Sequence, residues 1–113
     1  MATLAVRLDP QRLDNPDADI RYRLPDLLAD RSGGVLRDDG YDYVGEGPLL
    51  LLFLQASELE SAIACVHDVI ENARVLDNDL RPAAAVAIKR SSGWEVVYPV
   101  DSRVHSCQDS WAE

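Results

Sequence analysis

The chain has 113 residues, with 20 acidic side chains against 11 Lys and Arg, a formal charge of -9, and 47% hydrophobic residues. This length fits a single domain, residues 1–113, and the hydrophobic fraction excludes wholesale disorder. The excess of acids disfavours nucleic acid and anionic membranes as partners, because proteins bind both through basic patches. The same charge favours solubility, and as an alternative it predicts attraction of a basic protein.

The first two elements predicted along the chain are a strand and a helix. In TLAVRL, residues 3–8, every second side chain is a large aliphatic one, which is typical of a half-buried strand. Asn15 is suited to cap a helix with Pro16 in its first position, and Gly33–Gly34 is suited to end it. Pro25 falls inside the apolar stripe of this helix, where we expect it to kink the helix or split it.

The middle of the chain predicts a turn, a buried strand and a second helix. Asp38–Gly40 form a turn signal between two short strand-like pieces. The apolar run PLLLLFL, residues 48–54, has the length of a strand and is expected to be apolar on both faces, and so to be central in its sheet or covered on both sides. Apolar side chains then follow the helical period over residues 57–73, with Ser57 and Glu60 as a capping box.

The last regular element predicted is a hairpin over residues 83–100, with Ser91–Gly93 as its turn. By alternation, Trp94, Val96 and Tyr98 are expected to share one face of the return strand. The order is strand-helix-strand-strand-helix-strand-strand. It predicts an α+β fold, a ferredoxin-like sandwich with a mostly antiparallel sheet and both helices on one face.

The C-terminal segment, residues 101–113, lacks a clear pattern. We expect it to pack on the domain or on a neighbouring molecule, with Trp111 as its anchor. Cys65 and Cys107 are too few for a disulfide framework, so both are interpreted as reduced thiols of a cytoplasmic protein. No apolar run approaches the roughly 20 residues that a membrane-spanning helix needs.

Catalytic and metal-binding residues form no strong motif, and we predict neither an enzyme nor a bound cofactor or metal. His67, on the second helix, is interpreted as a residue at the boundary of the core. His105 and Cys107 supply too few ligands for a metal by themselves. Arg21 and Arg23, on either side of Tyr22, are interpreted as solvated charges of the first helix that pair with acids four residues earlier, with an anion pocket as the alternative.

The acidic stretch RDDGYDYVGEG, residues 37–47, is the candidate site. Its acids lack the spacing of a calcium loop, so it is expected to be either a solvated turn with an edge strand or a protein-binding surface. In the second interpretation the carboxylates pair with Lys or Arg of the partner, and the tyrosine rings bury area. The residues predicted to bind the partner are Asp38, Asp39, Tyr41, Asp42, Tyr43 and Glu46.

In size, acidity and lack of a catalytic motif, the chain is similar to the small acidic immunity proteins that neutralise basic toxins, often nucleases, in the bacterial cytosol. This resemblance implies a non-enzymatic inhibitor of a basic toxin or nuclease. The alternative is a small-molecule-sensing or regulatory domain that acts as a homodimer, because ferredoxin-like sheets often pair with ligands at the seam.

Overall fold

A computed structural model of the chain describes residues 2–15, 19–44, 49–91 and 93–98. Its helices and strands in chain order are β1 (Ala2–Leu8), α1 (Ile20–Arg31), β2 (Leu36–Val44), β3 (Leu49–Ala56), α2 (Leu59–Asn72), β4 (Arg74–Val75), β5 (Asn78–Asp79), β6 (Ala84–Arg90) and β7 (Gly93–Tyr98). A short 3₁₀ turn, Pro10–Arg12, lies between β1 and α1.

Five of the strands form one sheet in the order β2-β3-β1-β6-β7, and each neighbouring pair is antiparallel. β4 and β5 form a separate two-stranded hairpin. The described residues therefore form a small α+β domain with an antiparallel sheet and two α-helices. In the part of the chain that the structure describes, neither helix combines the length and apolar composition that crossing a membrane requires. The segment 101–113, with its predicted anchor Trp111, lies outside the described residues.

Both helices lie on one face of the sheet and cover the main hydrophobic core. β1 directs Leu4, Val6 and Leu8 into this core, which confirms the predicted alternation. Each such side chain contributes roughly 1.5–3 kcal/mol when it is fully buried. The helices contribute Ile20, Leu24 and Leu28 from α1, and Ala62, Val66, Val69 and Ile70 from α2.

The opposite face of the sheet carries a second, smaller apolar cluster. We call this face the open face, or open side, because no helix packs on it among the described residues. Leu52 faces the helices while Leu51, its neighbour on β3, belongs to the second cluster. The prediction that PLLLLFL is apolar on both faces is confirmed. The buried members of this cluster are Ala5, Leu51, Ala85 and Ala87, and its partly buried members are Leu49, Phe53, Trp94 and Val96.

Helix α1 begins later than the sequence predicts. Its first residue is Ile20, preceded by Asp19, so the prediction of Asn15 as the N-cap is wrong. The side-chain amide of Asn15 instead donates a hydrogen bond to the carbonyl of Leu76, at 3.1 Å. Asn15 therefore ties the segment before α1 to the β4–β5 hairpin, a contact 61 residues away along the chain that no local pattern indicates.

Pro25 lies within α1, which runs as one helix, so of the two predicted outcomes the split does not occur. Pro25 stands in the second turn, so the helix loses the single bond that residue 25 would donate to the carbonyl of Arg21. Such a bond is worth about 0.5–1.5 kcal/mol, and burial of Leu24, Pro25 and Leu28 in the core outweighs that loss. At the far end, Gly33–Gly34 terminates the helix with φ values of 65° and 90°, as predicted.

The N-cap of α2 is Glu58, so the predicted capping box of Ser57 and Glu60 is wrong. The carboxylate of Glu58 accepts a hydrogen bond from the N–H of Ser61 at 2.7 Å, and hydrogen bonds from Ser61 lower the pKa of Glu58. A capping box also needs the N–H of Ser57 to donate to Glu60, and that N–H donates instead to the carbonyl of Val35 at 3.0 Å. The Ser57 hydroxyl donates to the same carbonyl at 3.5 Å. The helix therefore starts one residue further along.

The predicted turn at Asp38–Gly40 is wrong, because β2 runs without interruption from Leu36 to Val44. The pairing of β2 with β3 shifts register between Asp38 and Tyr41, which marks a β-bulge. Gly40 has a φ of 96° there, a value that other residues rarely adopt. Gly40 does adopt a backbone conformation that favours glycine, but it forms a bulge within one strand and not a turn between two strands.

A second bulge changes the direction of Tyr98 on β7. The β6–β7 hairpin forms as predicted, but its register shifts between Val86 and Ala87. Trp94 and Val96 belong to the cluster on the open face, whereas Tyr98 lies opposite Val86 in the helix-covered core. The prediction that all three aromatic and aliphatic side chains share one face is wrong for Tyr98.

The β4–β5 hairpin joins α2 to β6 through a strained turn. Leu76 and Asp77 both have left-handed backbones, with φ values of 51° and 66°. The buried side chain of Asn78 accepts from the N–H of Asn15 at 2.7 Å and donates to its carbonyl at 2.8 Å. This reciprocal pair holds the strained turn against the segment that precedes α1.

Candidate protein-binding site

The edge of the sheet formed by β2 lies beside helix α1 and carries three exposed tyrosines. Tyr22 of α1 is 48% exposed, and Tyr41 and Tyr43 of β2 are 40% and 47% exposed. No other large hydrophobic side chain is exposed among the described residues. Clustered exposed aromatic side chains are typical of protein-binding surfaces.

These rings contact one another and surround the side chain of Arg21. The rings of Tyr22 and Tyr41 meet edge to face at 5.9 Å, and those of Tyr41 and Tyr43 at 6.1 Å. The Arg21 guanidinium carbon lies 4.8 Å from the centre of the Tyr22 ring and 5.2 Å from that of Tyr41. A guanidinium nitrogen donates to the Tyr43 hydroxyl at 3.4 Å. We call Arg21, Tyr22, Tyr41 and Tyr43 the tyrosine cluster.

The bulge in β2 is the reason that two of its tyrosines meet α1. Leu36 faces the core, so regular alternation would direct Tyr41 and Tyr43 away from the helices. The extra residue at the bulge reverses this, and Tyr41 and Tyr43 pair with Leu52 and Leu50 on the helix-covered face. There they reach the first turn of α1, which carries the other two members of the cluster.

Hydrogen bonds within the cluster shift the ionisation of its members. Bonds from Arg21, first to Tyr43 and then to Tyr22, raise the pKa of the guanidinium above its ordinary value. A hydrogen bond with Tyr41 lowers the pKa of Tyr22, and the same bond raises the pKa of Tyr41. Arg21 is thus a fixed positive charge among the rings, and it restricts the positions that they adopt.

The predicted acidic residues lie on both sides of the edge strand. Asp38 pairs with Leu54 and shares the helix-covered side with the two tyrosines, while Asp42 pairs with Leu51 on the open side. Asp39 also reaches the open side, because its carboxylate accepts a hydrogen bond from the side chain of Gln55 at 2.8 Å. Glu46 lies outside the described residues.

Two of these carboxylates form hydrogen bonds with the backbone of β2. Asp38 accepts from the N–H of Gly40 at 2.9 Å, which stabilises the bulge. Asp42 accepts from the N–H of Tyr43 at 2.8 Å. Hydrogen bonds to backbone N–H groups do not neutralise these carboxylates. β2, with three acids and one arginine, therefore carries a net negative charge.

The sequence prediction places Tyr41 and Tyr43 in the candidate site but does not place Arg21 and Tyr22 beside them. The spacing of residues along α1 does not indicate which strand lies next to the helix. The proximity of α1 and β2, and not a motif, creates the cluster.

A separate apolar cleft of about 250 Å³ lies between α2 and the β6–β7 hairpin. The Tyr98 hydroxyl at one wall donates to the Glu71 carboxylate at 2.5 Å, and burial together with this bond raises the pKa of Tyr98 to about 12. The His67 ring meets Tyr98 edge to face at 5.3 Å. The cleft is lined by Ile63, Val66, His67, Val86, Val97 and Tyr98.

Other reactive side chains do not converge on a site in the described ranges. No group of three or more His, Cys, Asp or Glu residues is placed there to hold a metal ion. Cys65 is half-buried on α2, and burial raises the pKa of its thiol. His105 and Cys107 lie outside the described residues.

The chain matches no protein-family model, no curated protein and no solved structure. Among the described residues, the fold builds two features suited to binding, the tyrosine cluster and the cleft. The cluster is exposed and charged at its border, whereas the cleft is small and apolar.

Proposed function

We propose that this protein is a non-enzymatic binding module that docks a basic protein through the edge formed by β2 and α1. The observation that carries the proposal is the tyrosine cluster, three exposed rings in mutual contact on the helix side of an edge strand. Tyrosine is enriched in the buried centres of protein interfaces, where its ring supplies area and its hydroxyl supplies a hydrogen bond.

Contacts already present in the free protein reduce the cost of binding through these rings. Ordering a mobile side chain at an interface costs roughly 0.5–1.5 kcal/mol. Arg21 and the edge-to-face contacts restrict Tyr22, Tyr41 and Tyr43 before a partner arrives. Such a surface has paid part of that entropy during folding, so it is suited to serve as the centre of an interface.

Charge supports a basic partner. The formal charge is -9, and β2 itself carries Asp38, Asp39 and Asp42 beside the rings. Because Arg21 occupies the middle of the tyrosine cluster, cations of the partner are expected to pair with the acids around it. Among basic proteins, a toxin or nuclease fits the similarity to small acidic immunity proteins, and Cys65, a free thiol, fits a cytoplasmic protein.

The strand order supports a ferredoxin-like arrangement for this module. The order β2-β3-β1-β6-β7, with α1 and α2 packed in one core, corresponds to such a sandwich extended at one edge by β7. In this arrangement β2 is the opposite edge strand. No described strand pairs with its outer side, which is therefore available to a partner.

The test is capture of a partner by the immobilised protein, identification by mass spectrometry, and measurement of its affinity for purified variants. Tyr41→Ala with Tyr43→Ala is expected to weaken binding by about 2 kcal/mol or more if these rings are central. Asp39→Asn with Asp42→Asn should weaken it and reduce its salt dependence. The matched control, Glu60→Gln with Asp68→Asn, removes the same charge from the exposed side of α2.

Two results would overturn the proposal. One is a partner whose affinity stays constant when ionic strength rises about tenfold, since screening weakens exposed charge pairs. The other is a control pair on α2 that weakens binding as much as the pair on β2.

The second candidate function is a small-molecule-sensing or regulatory domain acting as a homodimer. The observation that favours it is the apolar cleft of about 250 Å³ beside Tyr98. Sedimentation velocity measures whether the protein is a dimer. NMR signals of the Ile63 and Val97 methyl groups, recorded with a panel of small aromatic compounds, show whether the cleft binds a ligand. A monomer whose cleft methyl signals do not shift would exclude this function.

A further inference from the structure

On the outer side of β2, the backbone N–H of Tyr43 donates its hydrogen bond to a side chain of the same strand, that of Asp42. In the described sheet β2 neighbours β3 alone. The N–H of Tyr43 donates to the carboxylate of Asp42 at 2.8 Å, where an N–H directed at β3 would meet a carbonyl of that strand. The backbone N–H of Tyr43 therefore points away from β3. Because the direction of the backbone groups repeats every second residue along a strand, the N–H of Tyr41 points away from β3 as well.

An outward-facing strand edge is a template for pairing with another chain, and proteins protect such edges with charges and bulges. β2 has both, with Asp42 on the outward N–H and the bulge before Tyr41. The contact from Asp42 is an exposed bond to the next residue in the chain, so a competing carbonyl can replace it. Asp42 thus blocks the edge in the free protein without closing it permanently.

The two sides of this edge differ in chemistry. From the bulge onwards, Tyr41 and Tyr43 lie on the helix-covered side with Tyr22, while Asp39 and Asp42 lie on the open side. Asp38, on the helix-covered side, precedes the bulge. Side chains of a strand placed alongside would alternate between these two sides. Every second residue would meet tyrosine rings, and the residues between them would meet carboxylates.

We infer that β2 binds an extended segment of the basic partner as an added strand. Lys or Arg at alternate positions of that segment pairs with Asp39 and Asp42, and aliphatic or aromatic side chains between them pack on Tyr41 and Tyr43. The carbonyl of the segment takes the N–H of Tyr43, and the carboxylate of Asp42 turns to a cation of the segment. This inference rests on the proposed function and specifies the form of its partner.

The bulge limits how long the added strand is. The regular part of β2 after the bulge is Tyr41–Val44, which spans roughly 10–14 Å at the rise of a strand. The segment therefore pairs over a few residues, and its side chains supply much of the specificity. Rim charges on the open side mainly affect the rate of docking.

Two synthetic peptides of identical composition test this inference. One alternates lysine and valine over eight residues, and the other places the lysines in one block and the valines in another. Each is titrated into isotope-labelled protein. The alternating peptide is expected to shift the amide signals of Tyr41 and Tyr43 and slow their hydrogen exchange, and to bind at least several-fold more tightly than the block peptide.

A matched pair of variants tests the role of Asp42. Asp42→Ala is expected to speed hydrogen exchange at the Tyr43 amide of the free protein and to increase self-association, because the edge loses its block. Asp39→Ala removes the same charge from the same side and is expected to change neither. Both variants should weaken binding of the alternating peptide.

The outcomes separate this inference from the proposed function. If both peptides bind equally and lose affinity in an Asp39→Ala, Asp42→Ala double variant, the acidic surface stands and strand addition is wrong. If neither peptide binds, or if Asp42→Ala leaves exchange at Tyr43 unchanged, strand addition is again wrong. The proposed function is then tested separately, by the affinity of the captured partner and the dependence of that affinity on salt.

Discussion

The two edge strands of the sheet use the same device with opposite results. In β2 a bulge brings Tyr41 to the helix-covered side, and in β7 a bulge does the same for Tyr98. Tyr41 stays 40% exposed beside the first turn of α1, whereas Tyr98 is 8% exposed beside α2. In each strand the bulge determines the side on which the tyrosine lies, and the neighbouring helix determines whether its ring is exposed or buried.

The helices also determine the polar partners of these rings. Glu71 of α2 accepts the Tyr98 hydroxyl at 2.5 Å, so that tyrosine is tied to the domain. Arg21 of α1 donates to the Tyr43 hydroxyl at 3.4 Å, a longer and more exposed contact. The β7 edge is therefore built for stability, and the β2 edge keeps its rings available.

Truncation of the buried ring should have the largest effect on stability. Tyr98→Ala removes a core side chain and leaves Glu71 without its donor, which is expected to lower the free energy of unfolding by about 3–5 kcal/mol. Tyr41→Ala, at the other edge, should lower it by about 1 kcal/mol or less. Urea denaturation measures both, and equal losses would contradict the contrast between the two edges.

The bulge in β2 should depend on its glycine. Gly40 has a φ of 96° and open space where a side chain would begin, so Gly40→Val meets backbone strain without a steric clash. We expect a loss of about 1–3 kcal/mol and a disturbed tyrosine cluster. Chemical shifts of the Tyr41 ring and urea denaturation measure these effects. Unchanged stability with unchanged ring shifts would show that the bulge does not position the tyrosine.

Loss of the Tyr98 hydroxyl should have a smaller effect that depends on pH. Tyr98→Phe removes a hydrogen bond to a carboxylate, worth about 1.5–3 kcal/mol for a charged acceptor and less where water reaches it. The pKa of Tyr98 is raised from 10.0 to about 12 in the folded protein, so its stabilisation is complete below pH 10 and is lost as pH rises towards 12.

Urea midpoints measured across this pH range separate the two effects. The natural chain should lose stability between pH 10 and about 12, and Tyr98→Phe should lose less over the same interval. Tyr43→Phe, at the exposed edge, provides the matched control. A control that reduces the pH dependence as much as Tyr98→Phe would remove the basis for this assignment.

Removal of the cation from the tyrosine cluster should have the smallest effect on stability. Arg21→Ala is expected to change the free energy of unfolding by about 0.5 kcal/mol or less, since its contacts are at the surface. It should, however, narrow the differences among the ring signals of Tyr22, Tyr41 and Tyr43, because the rings become free to reorient. Loss of several kcal/mol would mean that the cluster is part of the core.

Several elements follow from local patterns alone. The alternation at Leu4, Val6 and Leu8, the two-faced apolar run ending at Leu54, and the amphipathic period of α2 each appear in the structure. These patterns succeed because burial of apolar side chains dominates the energy and has the period of the element that it stabilises. The termination of α1 at Gly33 follows in the same way from a local backbone requirement.

The two wrong helix caps share one cause, which is competition from distant partners. The local pattern favours Asn15 as the cap of α1, but Asn15 pairs with Asn78 instead. The local pattern favours Ser57 as the cap of α2, but its N–H and its hydroxyl both donate to the carbonyl of Val35. In each case a residue with the right local chemistry found a partner far along the chain, and tertiary contacts overrode its local preference.

The candidate site likewise has some features that local patterns predict and others that depend on tertiary contacts. Composition and periodicity are local properties, so they are enough to predict an acidic, tyrosine-containing segment before the buried strand β3. They do not predict that Tyr41 and Tyr43 turn towards α1 and meet Arg21, while Asp42 faces the open side. These directions depend on the bulge, which reverses every later side chain of the strand and whose position depends on the pairing with β3.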